Sequence, residues 1–225
     1  TAPVYNAGSV FQIGSTPNTN VGAGVTDQVR IFNKALTSSE VSQLYAETAC
    51  VHTATTTDEN YPTTNLAYYK LDNSAEDSHS GTYDGTESNI EYRFGKYGQA
   101  AVFNGSNAYI DLGTSIATST RGVSIWVNAD NFSERWAFQQ GDGQGVENYI
   151  RFYNTDDIQV RWGNVTQTFS GYSANTWIHI FAQKDENDNA NVWINGVEMG
   201  STGTPSAITV NKTYLGVRNN GGSLQ

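Results

Sequence analysis

The sequence is poor in cysteine and in basic residues, and it has no long apolar run. It has one cysteine, Cys50, among 225 residues, so no internal disulfide can form. Only 12 residues are Lys or Arg, against 22 Asp or Glu, and the formal net charge is −10. So acidic a chain argues against nucleic acid and anionic membrane surfaces as partners. No apolar run approaches the roughly 18 residues of a membrane-spanning helix, so membrane insertion is not expected.

The residues that are abundant favour β-structure. The chain has 22 glycines, 13 tyrosines and 5 tryptophans, which suit tight turns and aromatic packing. Aromatic residues make up 12% of the chain, enough apolar surface to build a core and to argue against intrinsic disorder. At 225 residues, the chain can form one large β-domain or two small domains.

Short apolar stretches recur along the chain with turn signals between them. Asn-Gly at 104–105 and 195–196 and Gly-Asn at 163–164 are typical of hairpins. The predicted strands are 9–15, 27–33, 66–71, 90–92, 100–103, 109–112, 122–128, 136–140, 149–153, 158–162, 165–170, 177–184, 191–194 and 213–217. The pattern predicts an all-β fold, a two-sheet antiparallel jelly-roll sandwich with one short helix.

That helix is predicted directly after the strand at 27–33. Thr37 is an N-cap residue with Glu40 three positions later, which is a capping box. Val41, Leu44 and Tyr45 then form an i, i+3, i+4 apolar stripe. A helix of about two turns is not stable alone, so we expect the stripe to dock on a sheet.

Six stretches together resemble the laminin-G-like branch of the concanavalin A-like lectin–glucanase jelly rolls. In the order of that family, they are LAYYKLDNSAEDSHSGTYDGT (66–86), GKYGQAAVFNGSNAYIDLG (95–113), VSIWVNAD (123–130), NTWIHIFAQKD (175–185), VWINGVEMGS (192–201) and DQVRIFNKALTSSEVSQLY (27–45). The last stretch resembles the closing strand and helix of the family, yet here it precedes the other five.

The permuted order predicts how the chain is organised. Residues 1–45 resemble the closing strands and helix of a laminin-G-like domain, 46–64 form an aperiodic linker, and 65–225 resemble the body of such a domain without its closing strand. Ile13-Gly14 aligns with Leu215-Gly216, 202 residues further on. We therefore interpret the chain as one period of a tandem-repeat surface or virion protein, cut inside a domain.

Two structural outcomes remain open for the closing segment. Residues 1–45 can complete the sandwich of their own chain, which makes a circular permutant. Alternatively, they complete a neighbouring copy, and chains then associate head to tail by strand donation. In either outcome, we expect the strand at 27–33 to cover the open edge of the sheet that holds the strand at 213–217.

The sequence does not predict an enzyme. The sandwich glucanases of the resembled superfamily use clustered carboxylates on one strand, in the pattern E-x-D-x-E, and that pattern does not occur here. The three histidines, His52, His79 and His179, show no triad pattern.

A carbohydrate site is predicted around ERWAFQQGDGQGVENYIRFYN (134–154). Sugars are held by aromatic faces together with planar amides and carboxylates. The candidate ligand-binding residues are Trp136, Gln140, Asp142, Asn148, Tyr149 and Trp162. The competing interpretation is that these aromatic residues serve the core, as expected for Trp126, Trp177 and Trp193.

The resemblance also implies a calcium ion at the rim of the sandwich. Asp72 and Asp77 lie in the acidic stretch LDNSAED (71–77), and Asp27 starts a strand expected to pair nearby. Calcium prefers carboxylate and carbonyl oxygens. The competing interpretation is that these residues cap their own turns.

The predicted function is a non-catalytic carbohydrate-binding or adhesion module of a repetitive surface, fibre or virion protein. Its partners would be a glycan or another copy of the same chain, and its location extracellular, on a cell surface or on a virion. The alternative is a purely structural repeat that polymerises or spaces by strand complementation, with no glycan ligand.

Overall fold

A computed structural model describes residues 12–14, 23–47, 65–112, 121–141, 147–206, 213–214, 219–220 and 223–224. This part of the chain forms two antiparallel sheets of eight strands each, a small two-stranded sheet and helix α1 (Ser38–Ala46). The predicted all-β sandwich with one short helix is therefore confirmed. None of the described helical residues form a helix long and apolar enough to cross a membrane.

The two large sheets are named sheet A and sheet B. Sheet A contains β1 (Gln12–Gly14), β4 (Thr86–Ser88), β7 (Tyr109–Asp111), β9 (Arg135–Gln140), β10 (Asn148–Tyr153), β11 (Asp157–Trp162), β12 (Val165–Phe169) and β16 (Thr213–Tyr214). Sheet B contains β2 (Ala23–Phe32), β3 (Asn65–Tyr69), β5 (Glu91–Phe94), β6 (Gln99–Asn104), β8 (Gly122–Ala129), β13 (Ile178–Lys184), β14 (Ala190–Ile194) and β15 (Val197–Thr202). Strands β17 (Asn219–Asn220) and β18 (Ser223–Leu224) pair only with each other.

Strand order shows that neighbours in a sheet are often distant in the chain. Sheet A runs β12-β11-β10-β9-β1-β7-β4, and β16 also pairs with β9. Sheet B runs β15-β14-β13-β8-β2-β6-β5, and β3 also pairs with β2. Alternate side chains of both sheets enter one shared core, as Phe138 and Ile150 of sheet A and Ile125 and Ile180 of sheet B illustrate. This packing is typical of a sandwich.

Strand β2 lies in the middle of sheet B. It pairs with β8 along one edge and with β6 and β3 along the other. Val29 and Ile31 enter the main core, whereas Phe32 belongs to a second cluster on the outer side of the sheet. Such alternation between the two sides of a sheet is what a strand imposes.

One prediction about this strand is wrong. We expected residues 27–33 to cover an edge of the sheet that holds the strand at 213–217. Thr213 and Tyr214 instead pair with Gln140 and Gln139 of β9 in sheet A, and β2 lies in sheet B. The two segments therefore belong to opposite layers of the sandwich.

Helix α1 docks on the outer side of sheet B. Its N-cap is Thr37, and the capping box with Glu40 is present. Val41 and Leu44 are fully buried against Phe181 and Trp193. This docking explains why so short a helix persists, because its apolar stripe supplies the stability that its length cannot.

Candidate ligand-binding face

Strands β9 to β12 present one side to the core and the other away from it. Ile150 and Phe152 of β10 belong to the main core cluster, and Tyr149, Arg151 and Tyr153 alternate with them outside it. This alternation is what a strand imposes. We call the outward side of β9–β12 the outer face of sheet A.

Arg151 lies at the centre of this face among three aromatic rings. Its guanidinium carbon is 4.4 Å from the ring centre of Tyr153, 5.1 Å from that of Trp136 and 5.2 Å from that of Tyr149. Trp136 and Tyr149 also contact each other edge to face, with ring centres 4.8 Å apart. The rings attract the cation and restrict its position.

Gln159 of β11 fixes the same group by hydrogen bonds. Its side-chain oxygen accepts from Nε of Arg151 and from the hydroxyl of Tyr149, both at 2.8 Å. Its amide nitrogen donates to the exposed hydroxyl of Thr168 at 3.2 Å. Hydrogen bonds therefore connect Arg151 and Tyr149 through Gln159 to Thr168, which is exposed to solvent.

Arg151 and Tyr153 keep polar atoms available on this face. Within the described residues, neither Nη atom of Arg151 forms a hydrogen bond or an ion pair, and the hydroxyl of Tyr153 has no hydrogen-bond partner. Both side chains are half-buried. A planar donor fork beside a phenol can bind hydroxyl or carboxylate oxygens.

Two of the predicted ligand residues lie on this face but are buried. Trp136 is 2% exposed and Tyr149 is 5% exposed, so neither offers an open ring for a sugar to stack on. Both rings instead pack against Arg151. The rings of Trp136 and Tyr149 therefore hold Arg151 in position.

The other predicted ligand residues lie elsewhere. Trp162 belongs to the main core cluster. The side chain of Asn148 donates to Gln140 at 2.8 Å and accepts from the backbone N–H of Gly163 at 2.9 Å, and both side chains are buried. Asp142 lies outside the described residues.

Sequence reasoning missed Arg151, Tyr153 and Gln159. The signal that indicates the first two is the i, i+2 alternation in YIRFY (149–153), since the outward residues of that strand are the aromatic and cationic ones. Gln159 becomes identifiable only from the register, which places it opposite Arg151.

The predicted calcium residues separate into two groups. Asp77 caps its own turn, because its oxygens accept from the backbone N–H groups of Tyr68 and His79 and from the hydroxyl of Ser80. Burial opposes ionisation of Asp77, but the hydrogen bonds from Ser80, Tyr68 and His79 hold its pKa below the usual value. The turn-capping interpretation therefore accounts for Asp77.

Asp27 and Asp72 hold one turn together. Asp27 accepts from the backbone N–H of Tyr97 at 2.8 Å, and Asp72 accepts from that of Gln99 at 2.6 Å. Asp27 is fully buried, and its Oδ1 has no hydrogen-bond partner among the described residues. Burial, aided by the negative charge of Asp72, raises the pKa of Asp27 to about 7. The described residues contain no group of three or more His, Cys, Asp or Glu suited to a metal ion.

In comparisons with known proteins, no family model, curated protein or solved structure matches this chain. The resemblance to laminin-G-like domains therefore stays a prediction, and the assignment to the all-β class rests on the strands themselves.

Proposed function

We propose that this chain is a non-catalytic carbohydrate-binding or adhesion module that acts outside the cell, on a cell surface, fibre or virion. The ligand would lie on the outer face of sheet A. The observation that carries the proposal is the position of Arg151, which is framed by three aromatic rings and keeps its terminal donors available.

The chemistry of this face suits a sugar. Pyranose C–H groups pack on aromatic rings, and hydroxyl groups need fixed donors and acceptors. The half-buried ring of Tyr153 supplies the first, and the Arg151 fork with the hydroxyl of Thr168 supplies the second. Because Gln159 already holds Nε of Arg151, little side-chain freedom is lost when the ligand binds.

A broad glycan array with purified protein tests the proposal. For a glycan that binds, we expect Arg151→Ala to weaken affinity by about tenfold or more, the usual loss for a hydrogen bond to a charged group. Tyr153→Ala should also weaken affinity, because the ring on which the sugar packs is lost. Arg151→Lys keeps the charge but loses the planar fork, so its affinity should fall between those of the wild type and Arg151→Ala.

Arg93→Ala is the matched control. Arg93 is an exposed arginine of β5 in sheet B, whose contact with Asp130 is 3.9 Å long, so its loss should leave binding unchanged. Glycan binding that survives both Arg151→Ala and Tyr153→Ala would place the ligand elsewhere. A folded protein that binds nothing on the array would contradict the glycan function itself.

A further inference from the structure

Two distant segments of the chain pair with the same residue of sheet A. Gln12 of β1 pairs with Gln139 of β9, and Tyr214 of β16 pairs with Gln139 as well. The opposite edge of β9 is occupied at this point by β10, through Tyr149. Strands β1 and β16 therefore meet on one edge of β9.

The sequence relates these two segments independently of the pairing. Gln12 and Tyr214 are 202 residues apart, the same separation as that of the aligned pairs Ile13-Gly14 and Leu215-Gly216. The residues that the sequence alignment equates are thus the ones that pair with Gln139. The agreement of alignment and register indicates two copies of one strand.

One edge of a strand cannot satisfy both copies at the same residue. A residue in a sheet offers a single backbone N–H and a single C=O, and these form the ladder along its edges. Strand β1 fits between β9 and β7, because it also pairs with Tyr109, Ile110 and Asp111. When β16 fills that position, β1 is displaced and its backbone groups need another strand.

We propose that β1 and β16 are alternative occupants of one position beside β9, and that β1 of one copy can take this position in a second copy, in competition with that copy's own β1 and β16. The β1 segment of one copy then completes sheet A of the next, with the register that Gln12 has on Gln139. Because donor and acceptor differ, the contact is head to tail, and it repeats from copy to copy. This self-association is separate from glycan binding.

When β1 moves from its own chain to a second copy, one strand pairing is replaced by an equivalent one. The extent of association therefore depends on protein concentration. The wild-type protein therefore provides the first test. Sedimentation at increasing concentration should show a mean mass that rises well above that of the 24.5 kDa chain. A protein that remains monomeric across the full accessible range would overturn the proposed contact between copies.

Cysteine cross-linking then locates the contact. In a Cys50→Ser background, one chain carries Gln139→Cys and another carries Gln12→Cys, so any disulfide between the two variants joins two copies. Directly paired residues have the separation that a disulfide needs. We expect several-fold more mixed dimer than in a control mixture, in which the second chain carries Ser201→Cys, an exposed residue of β15. Mixed dimer at the control level would overturn the proposal.

Two doubly substituted chains test the alternation itself. At high dilution, we expect an intrachain disulfide between Gln139→Cys and Gln12→Cys in the first variant. In the second variant, we expect one between Gln139→Cys and Tyr214→Cys. Closure of both pairs supports two occupants for one position. Closure of only one pair would show that the other segment does not use the position. Circular dichroism and thermal unfolding must first show that each variant folds like the wild type.

Discussion

Arg30 and Glu47 form a two-point ion pair inside the protein. Nη1 of Arg30 lies 2.7 Å from Oε2 of Glu47, and Nη2 lies 2.9 Å from Oε1. The two side chains are only 4% and 3% exposed. Arg30 belongs to β2 and Glu47 is the C-cap of α1, so this pair fixes the end of the helix against the strand that precedes it.

Removing one partner of this pair should be costly. Glu47→Gln leaves the Arg30 charge buried without its carboxylate, and we expect a loss of about 3 kcal/mol in the free energy of unfolding. Urea denaturation measures this loss. The control is Asp188→Asn, which breaks the more exposed pair with Lys184 and should cost less than about 1 kcal/mol. Equal, small effects of both substitutions would show that the Arg30–Glu47 pair is not maintained in solution.

Replacing Trp136 tests whether this residue packs inside the protein or contacts a ligand. The sequence allows two interpretations of Trp136, as a ligand-binding residue or as a core residue. Since Trp136 is 2% exposed and packs against Tyr149, we now expect Trp136→Ala to destabilise the protein by about 3 kcal/mol or more. Tyr153→Ala, at a half-buried position, should cost much less. Thermal unfolding of the two variants compares them directly, and an unchanged midpoint for Trp136→Ala would favour the ligand-binding interpretation.

The strands that could be predicted from the sequence are those with one apolar side. Strands β8, β10, β11 and β13 have regular alternation or strongly apolar composition and were located within a residue or two of their observed bounds. Strand β15 was missed, because its residues are mostly exposed and no buried face imposes a pattern on them. Local capping chemistry was sufficient for α1, since the Thr37–Glu40 box needs no distant partner.

The arrangement of the candidate site could not be predicted in the same way. The ring frame around Arg151 depends on the register of β10 on β9, and register is set by turns and by the core. The choice between an open and a buried Trp136 also depends on neighbours distant in the chain. The pairing of Asp27 with the turn at Tyr97 joins residues 70 positions apart, a contact that no local pattern indicates.

The buried carboxyl group of Asp27 should make stability depend on pH. Its pKa is about 7 in the folded chain against an ordinary 3.8, so the folded state holds an additional proton between these values. The stabilisation is fully present below about pH 4 and is lost as the pH rises through 7, with a slope of up to about 1.4 kcal/mol per pH unit. Asp27→Asn should flatten the urea-unfolding profile in this window. The control is Asp130→Asn at an exposed site, which should retain the wild-type slope. A wild-type slope in Asp27→Asn as well would show that Asp27 does not titrate between pH 4 and 7.

Calcium provides a separate test of the same carboxylates. Calcium binding stays a prediction, and of the three predicted residues Asp27 and Asp72 contact the same turn, through Tyr97 and Gln99. Oδ1 of Asp27 is buried without a partner among the described residues. We expect millimolar calcium to raise the melting temperature, because a ligand that binds only the folded state stabilises it. The rise should be larger at pH 8 than at pH 5, since the ion needs ionised Asp27. Asp72→Asn should abolish the rise, and an equal rise in that variant would exclude this site.

The position of β2 predicts what happens when the chain is cut between its two parts. Strand β2 lies between β8 and β6, and without it both neighbours would lose their backbone partners next to the core. The side chain of Gln183 hydrogen-bonds both the N–H and the C=O of Leu36, and the hydroxyl of Tyr97 donates to the C=O of Glu47. These contacts join residues 23–47 to the rest of the sandwich without any need for the covalent link.

A protease site inserted at residue 55 allows this to be measured on the full chain. After cleavage, we expect the two fragments to co-elute under native conditions, to unfold in a single transition and to separate only in denaturant. Mixing cleaved, isotope-labelled protein with cleaved, unlabelled protein then shows whether a fragment leaves its original partner, because exchange requires sheet B to open. An N-terminal fragment that dissociates at once in native buffer, leaving a cooperatively folded remainder, would show that β2 and α1 are not integral to the sandwich. A cleaved protein that stays associated but exchanges with unlabelled copies within minutes would show that sheet B opens readily, so that β2 and α1 can leave one copy and complete another.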